Sequence, residues 1–214
     1  MTSENEAEAA DGSRGPRTHL DRNALTKRRI VTAAISLVDE DGIDKLTMRR
    51  LGARLGVDPA AFYRHFPDKA ALLRAIGRAA IAEIELPALD ETVTWESWVI
   101  HTRTEYRALL VERPYLVPLV LNGLIPWQSL PAYSIERHLL VRQGFSERDI
   151  GPVFDAIDAF VVGSAAVTSA VSGSSQAAAA RGVAAPGDAT ANFKRGLRAL
   201  LRGLRAELDD LSAD

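Results

Sequence analysis

Residues 47–69 read TMRRLGARLGVDPAAFYRHFPDK. Thr47 and Asp58 are each of a type that caps a helix, and Pro59 suits a first helical position, where its missing N–H is no loss. Gly56 is the residue that closes a helix in a left-handed turn. The stretch therefore predicts two short helices joined through Leu55-Gly56-Val57, a helix-turn-helix. The second helix has barely two turns before Phe66-Pro67, too short to be stable alone. At about 100° per residue Phe62 and Phe66 share one face and must be buried, leaving Ala60, Ala61 and Arg64 outward with Tyr63 and His65 on the flanks. Small alanines allow close approach to a groove, and Tyr, Arg and His can donate to phosphates or base edges. A segment of this kind is a reading head for nucleic acid.

Upstream, Thr26 can cap a helix in which Ile30, Ala33, Ala34, Leu37 and Val38 recur at helical spacing, closed at Asp41-Gly42 by a glycine in the left-handed conformation. Downstream, Asp68 caps a helix that turns Leu72, Leu73 and Ile76 inward and runs on through Ile81, Ile84 and Leu86, one rigid element shared by two cores. Residues 25–78 hold 11 Lys/Arg and 6 Asp/Glu, and the remainder holds 15 and 22. A segment of +5 on a body of −7 suits a polyanion-binding module joined to a different kind of domain.

The run LTKRRIVTAAISLVDEDGIDKLTMRRLGARLGVDPAAFYRHFPDKAALLRAI resembles, without a gap, the DNA-binding domain of the tetracycline-repressor (TetR) family of bacterial transcription regulators. The resemblance rests on Thr47-Met48-Arg49 at the entry to the second helix, Leu55-Gly56-Val57 at the turn, and Phe62-Tyr63-Arg64-His65-Phe66 followed by Lys69. It implies that Arg49, Pro59, Ala60, Ala61 and Tyr63 approach bases, and that Thr47, Tyr63, His65 and Lys69 lie on the phosphate backbone. Met48 and Arg64 belong to the same surface. Where relatives often carry hydrogen-bonding side chains this chain has Pro59, Ala60 and Ala61, so its reading helix offers methyl contacts and shape.

The expected fold class is all-α: a three-helix DNA-binding domain over residues 24–80 and a helical ligand-binding and dimerisation domain over 81–214. Residues 1–23, polar and without apolar periodicity, are expected to form a mobile arm whose Arg14, Arg17 and Arg22 can reach a minor groove or remain a solvated tail. In the larger part, Trp95, Trp98, Val99, Thr102, Tyr106 and Leu109 mark a helix that stops before Pro114. A short apolar piece follows (Tyr115 to Leu121), then a turn at Gly123 to Pro126 and a helix with Leu130, Ile135, Leu139 and Leu140. A long helix spans Ser146 to about Gly173, residues 172–190 read as a low-complexity connection, and a final leucine-striped helix starts at Ala191.

Two features of this part point beyond packing. Ala156, Ala159, Gly163, Ala166 and Ala170 form a small-residue face that suits either a core contact or, by the family resemblance, a four-helix homodimer interface, which two reading heads on a palindromic operator require. The second feature is a set of aromatic and polar residues. By resemblance, a small-molecule effector would bind among Trp98, His101, Tyr106, Trp127, Phe154 and Asp158, with release of DNA as the outcome. Asp155 and Asp158, with His101 and His138, are also open to a ligand amine, to a metal, or to solvent exposure.

No cysteine is present, which excludes disulfides and thiolate zinc sites. The sequence has no phosphate-cradling glycine loop, no G-x-S-x-G elbow and no HExxH pattern, which argues against an enzyme, and no cofactor or metal is expected. The apolar runs read as too interrupted to span a bilayer, and the N-terminus is polar, so a cytoplasmic protein with no membrane partner is expected. The expected function is a ligand-responsive repressor. A constitutive DNA-binding protein whose body only dimerises is the alternative, and an enzyme built on the helical domain is the third.

Overall fold

A computed structural model describes residues 25–125, 131–172 and 186–211, and every regular element among them is helical. The helices are α1 (Lys27–Asp41), α2 (Met48–Leu55), α3 (Lys69–Ile81), α4 (Trp95–Glu112), α5 (Leu116–Leu121), α6 (Pro131–Arg142), α7 (Glu147–Ser172) and α8 (Pro186–Leu211), with 3₁₀ segments at Ile43–Lys45 and Pro59–Arg64.

The caps fall where side-chain chemistry puts them. Thr26, Thr47 and Asp68 oxygens accept from the backbone N–H of Arg29, Arg50 and Ala71 at 3.2, 3.1 and 2.6 Å, supplying donors that the first turn of a helix leaves unpaired. Gly56 ends α2 in the left-handed conformation (φ 67°, ψ 32°). Gly42 ends α1 differently: its φ of 87° comes with an extended ψ of 157°, which sends the chain straight into the 3₁₀ turn that buries Leu46. Both conformations favour glycine, since a side chain clashes at positive φ.

Two apolar cores result. The smaller gathers Ile30, Ala34, Leu37 and Val38 of α1, Leu46, Leu51 of α2, Phe62, Phe66, and Leu72 and Ile76 of α3. The larger is built around α4 and α7, with Trp95, Trp98, Leu110, Phe154, Ile157 and Val161 almost fully enclosed, and α5, α6 and α8 packed around them. Helix α3 serves both, because Ala80 and Ile81 enter the larger core. It ends at Ile81, however, so the expected continuous rod to Leu86 is shorter: residues 82–84 turn, Ile84 is half-buried and Leu86 is 37% exposed. Where α3 passes the end of α5, a Cβ on Gly77 would lie 2.1 Å from Ile125 Cδ1. Glycine alone permits that approach.

Two other expectations need correction. Helix α8 begins at Pro186, more than a turn before Ala191, with proline at its first position where no N–H is required. Among the described residues, Glu147–Ala170 is long and apolar enough to cross a membrane by length and composition, contrary to the reading that no run qualifies. Its buried face (Val153, Phe154, Ile157, Val161, Ala165) packs in the larger core, and Ala159, Gly163 and Ala170 are exposed on the other face. Trp127 and Leu130, residues 1–24 and the connection 173–185 lie outside the described residues.

Candidate nucleic-acid interface and ligand cavity

The reading head is a 3₁₀ segment, Pro59–Arg64, rather than the expected α-helix. Asp58 Oδ1 accepts from Ala60 N at 2.7 Å, and the last turn closes with both His65 N and Phe66 N donating to Phe62 O at 2.8 Å. Pro67 has no N–H to extend an i→i+4 ladder past Phe66, and a tight 3₁₀ turn satisfies the backbone over these six residues. The expected facing survives the change. Phe62 and Phe66 are buried, while Tyr63 is 57% exposed and Ala60 and Arg64 are open to solvent, with Ala61, Pro59 and His65 intermediate.

Helix α2 sorts its three arginines by partner. Arg50 pairs with Asp41 and with the carbonyl of Lys45, and Arg54 donates to Glu40 with both terminal nitrogens. Those carboxylates belong to α1, so the two pairs clip α2 to the first helix, and the pKa of Glu40 is held down mainly by its hydrogen bond to Arg54. Arg49 is exposed and makes no ion pair with a described residue. It stands beside Thr47 at the start of α2, with Arg64 and Lys69 also exposed. Met48 is half-buried against the smaller core, so its part is packing as well as surface. The sequence reading passed over Gly52, on the inner face of α2. A Cβ there would lie 2.8 Å from Val57 O and 3.2 Å from Pro59 Cγ, so glycine lets the turn fold directly onto α2; the signal was a glycine between Leu51 and Leu55 inside a helix, where it otherwise costs stability.

In the larger core a cavity of about 190 Å³ opens between the end of α3, α4 and the start of α6, lined by Ile81, Ala82, Ile84, Leu86, Thr102, Arg103, Tyr106 and Ala132. Of the six residues expected at an effector site, Tyr106 lines it. Trp98 and Phe154 are buried in the adjoining core, with 1% and 0% exposure. Asp158 reaches the site through Arg103, whereas His101 is exposed on the outer side of α4 and does not join them. Asp155 and His138 are exposed as well, and no group of three potential metal ligands occurs among the described residues.

What organises this region is a charge cluster that sequence reading missed. Arg103 donates from both terminal nitrogens to Glu136 at 3.0 and 2.7 Å, and its Nε lies 3.3 Å from Asp158 Oδ1. Thr102 donates to the same Glu136 at 3.0 Å. The Arg103 and Glu136 side chains are 5% and 1% exposed. Two carboxylates thus share one guanidinium. Burial pushes the Asp158 pKa up to about 6, against the pull of Arg103 and with the repulsion of Glu136 and Asp155 added. Tyr106 is raised too, chiefly by burial and then by Asp158, so its phenol is a neutral hydrogen-bond donor beside the cavity. The signal for Glu136 lay in its spacing: Ala132, Glu136, Leu139 and Leu140 form one stripe, with a carboxylate at a core position.

Residues 30–76 match the family described as "Bacterial regulatory proteins, tetR family". The chain is 33% identical over 144 residues to the tetracycline repressor protein class A from transposon 1721 of Escherichia coli, 65% of each chain. It is 29% identical over 146 residues to an HTH-type transcriptional regulator of Saccharopolyspora erythraea, 68% of this chain and 61% of that one. These matches span less than two thirds of the relatives' own length. Among solved structures, a TetR variant from Acinetobacter baumannii AYE in complex with minocycline superposes with a TM-score of 0.70 at 28% identity, covering 86% of this chain and 99% of that one.

Proposed function

This chain belongs to the tetR family of bacterial regulatory proteins, and from that premise we propose that it is a dimeric repressor that binds a palindromic operator and releases it when a small molecule occupies the cavity beside Arg103 and Tyr106. The observation that carries the DNA-binding half is the sorting of arginines on α2: Arg50 and Arg54 are committed to Asp41 and Glu40, whereas Arg49 is left open, as are Ala60, Tyr63 and Arg64 of the segment that follows. An unpaired guanidinium can grip a guanine through two donors, while Lys69 neutralises a phosphate and the His65 ring can donate a hydrogen bond to one. The domain division is residues 24–80 for DNA and 81–214 for ligand and dimer contacts, and the reading needs no catalytic residue.

The relief of repression follows from α3. Its first turns hold Leu72 and Ile76 in the smaller core, and its last, with Ile81, walls the cavity. A ligand against Ile81, Ile84 and Leu86 favours one position of this helix, and a modest pivot takes two reading heads out of register with grooves spaced about 34–36 Å apart. Ile125, in the turn after α5, packs against the same helix at Gly77.

Arg49→Ala and Lys69→Ala test the assignment together. Loss of Arg49 relaxes preference at one base per half-site, costing about 1–3 kcal/mol, while loss of Lys69 weakens all sequences alike and lowers the salt slope by about 1. If both variants bind a selected palindrome as tightly as the parent in fluorescence anisotropy, the interface is elsewhere.

A further inference from the structure

Helix α4 carries two buried guanidiniums one turn apart, and they are treated oppositely. Arg103 has two carboxylates. Arg107, 5% exposed, has none within ion-pair distance among the described residues. Its contacts are neutral: Nε donates to Ser164 Oγ at 2.8 Å, one terminal nitrogen donates to Thr168 Oγ at 2.7 Å, and the guanidinium lies 5.1 Å from the centre of the Phe193 ring. Thr168 gives its own hydroxyl proton to Ser164 O at 2.8 Å, which turns its lone pairs toward the arginine. These groups hold the guanidinium in place without cancelling its charge. Burial pulls the Arg107 pKa down and no carboxylate acts against that, the reverse of the situation at Arg103.

A guanidinium has five N–H donors, and two are used here. Arg107 Nη1 makes no hydrogen bond to a described residue and is not sealed from solvent, so its two donors sit at the edge of the core. A largely buried charge with no carboxylate beside it is costly, and an anion at its open edge offsets that cost. The free donors form the fork that matches an oxyanion with paired hydrogen bonds.

We propose that Arg107, held by Ser164, Thr168 and Phe193 where α4, α7 and α8 meet, is the binding point of a small free oxyanion, a carboxylate or an inorganic anion of similar shape. This site is separate from the cavity beside Arg103 and does not depend on the regulatory reading. The Phe193 ring covers one face of the guanidinium, so the anion approaches edge-on in the plane of the fork. A compact anion with two oxygens at that edge fits better than chloride, which offers a single point of charge.

The full-length chain, labelled with ¹⁵N-arginine, is titrated with sodium acetate and sodium sulfate against sodium chloride at matched ionic strength. The Nε–Hε resonance of Arg107, identified by its absence in Arg107→Lys, should shift saturably with acetate or sulfate and not with chloride. Arg107→Gln should lose the oxyanion-specific gain in melting temperature, with apparent affinity at least about tenfold weaker, equivalent to about 1.4 kcal/mol. An Arg107 resonance that neither oxyanion moves overturns the proposal, and that titration on the parent protein decides even if Arg107→Gln fails to fold. A resonance that moves on protein dilution but not with added anion also overturns it, because the counter-ion would then be a carboxylate of a second copy.

Discussion

Asp158→Asn should make the protein more stable at neutral pH and remove a component of its pH dependence. The carboxyl is 14% exposed, lies 3.3 Å from Arg103 Nε and shares that guanidinium with Glu136. Its pKa rises from 3.8 to about 6, with burial the largest cause. Because the folded value is the higher one, the folded chain keeps this proton between pH 4 and 6 while the unfolded chain has released it. Stability from this group is therefore greatest below pH 4 and is lost as pH rises through 6. A shift of about two units is worth about 3 kcal/mol at 1.36 kcal/mol per unit. Asparagine keeps the shape and cannot ionise, and Arg103 retains both hydrogen bonds to Glu136. Urea unfolding of parent and variant from pH 4 to 8, at one fixed protomer concentration, reads the difference that Asp158 and its coupling to Glu136 and Asp155 make. The variant should gain on the parent by about 2–2.5 kcal/mol across that range, most steeply between pH 4 and 6. Parallel stability curves would refute the reasoning.

Gly52→Ala should destabilise the small domain by about 1–3 kcal/mol despite alanine's better helix propensity, because the new methyl meets Val57 O; a higher melting temperature would mean that the turn yields freely. Gly163→Glu should leave the protomer folded and break the proposed homodimer, since this glycine is exposed on α7 with nothing within 4 Å of its Cβ position; light scattering that still reports a dimer moves the seam off this face. Leu201 is 2% exposed inside the protomer's own core, so Leu201→Asp should lower the melting temperature rather than probe the interface, through an unpaired buried carboxylate.

Much of the smaller domain was legible because local rules agree there. Thr26, Thr47, Asp58 and Asp68 cap, Gly56 stops α2, and Phe62 and Phe66 fall inward even though the segment is 3₁₀. The cavity was less legible because its polar residues depend on partners distant in sequence. Arg103 meets Glu136 across 33 residues and Arg107 meets Ser164 across 57, and no local periodicity marks an arginine whose charge is absorbed by another helix. Aromatic residues drew attention to Trp98 and Phe154, which are buried in the adjoining core, while Thr102 and Arg103, at the edge of the same stripe, line the space. His101, which the sequence left open to solvent as well as to a ligand, faces solvent although it neighbours Thr102 in sequence.

The most direct test of the central claim is selection of duplexes from a random-sequence pool by the full-length chain, followed by the stoichiometry of the selected complex. The account predicts enrichment of a two-fold symmetric sequence with half-site centres about one helical turn, roughly 34–36 Å, apart, bound by two protomers and degraded at one base per half-site by Arg49→Ala. Enrichment of no symmetric sequence, or a selected duplex that binds a single protomer with Arg49 irrelevant, would contradict it.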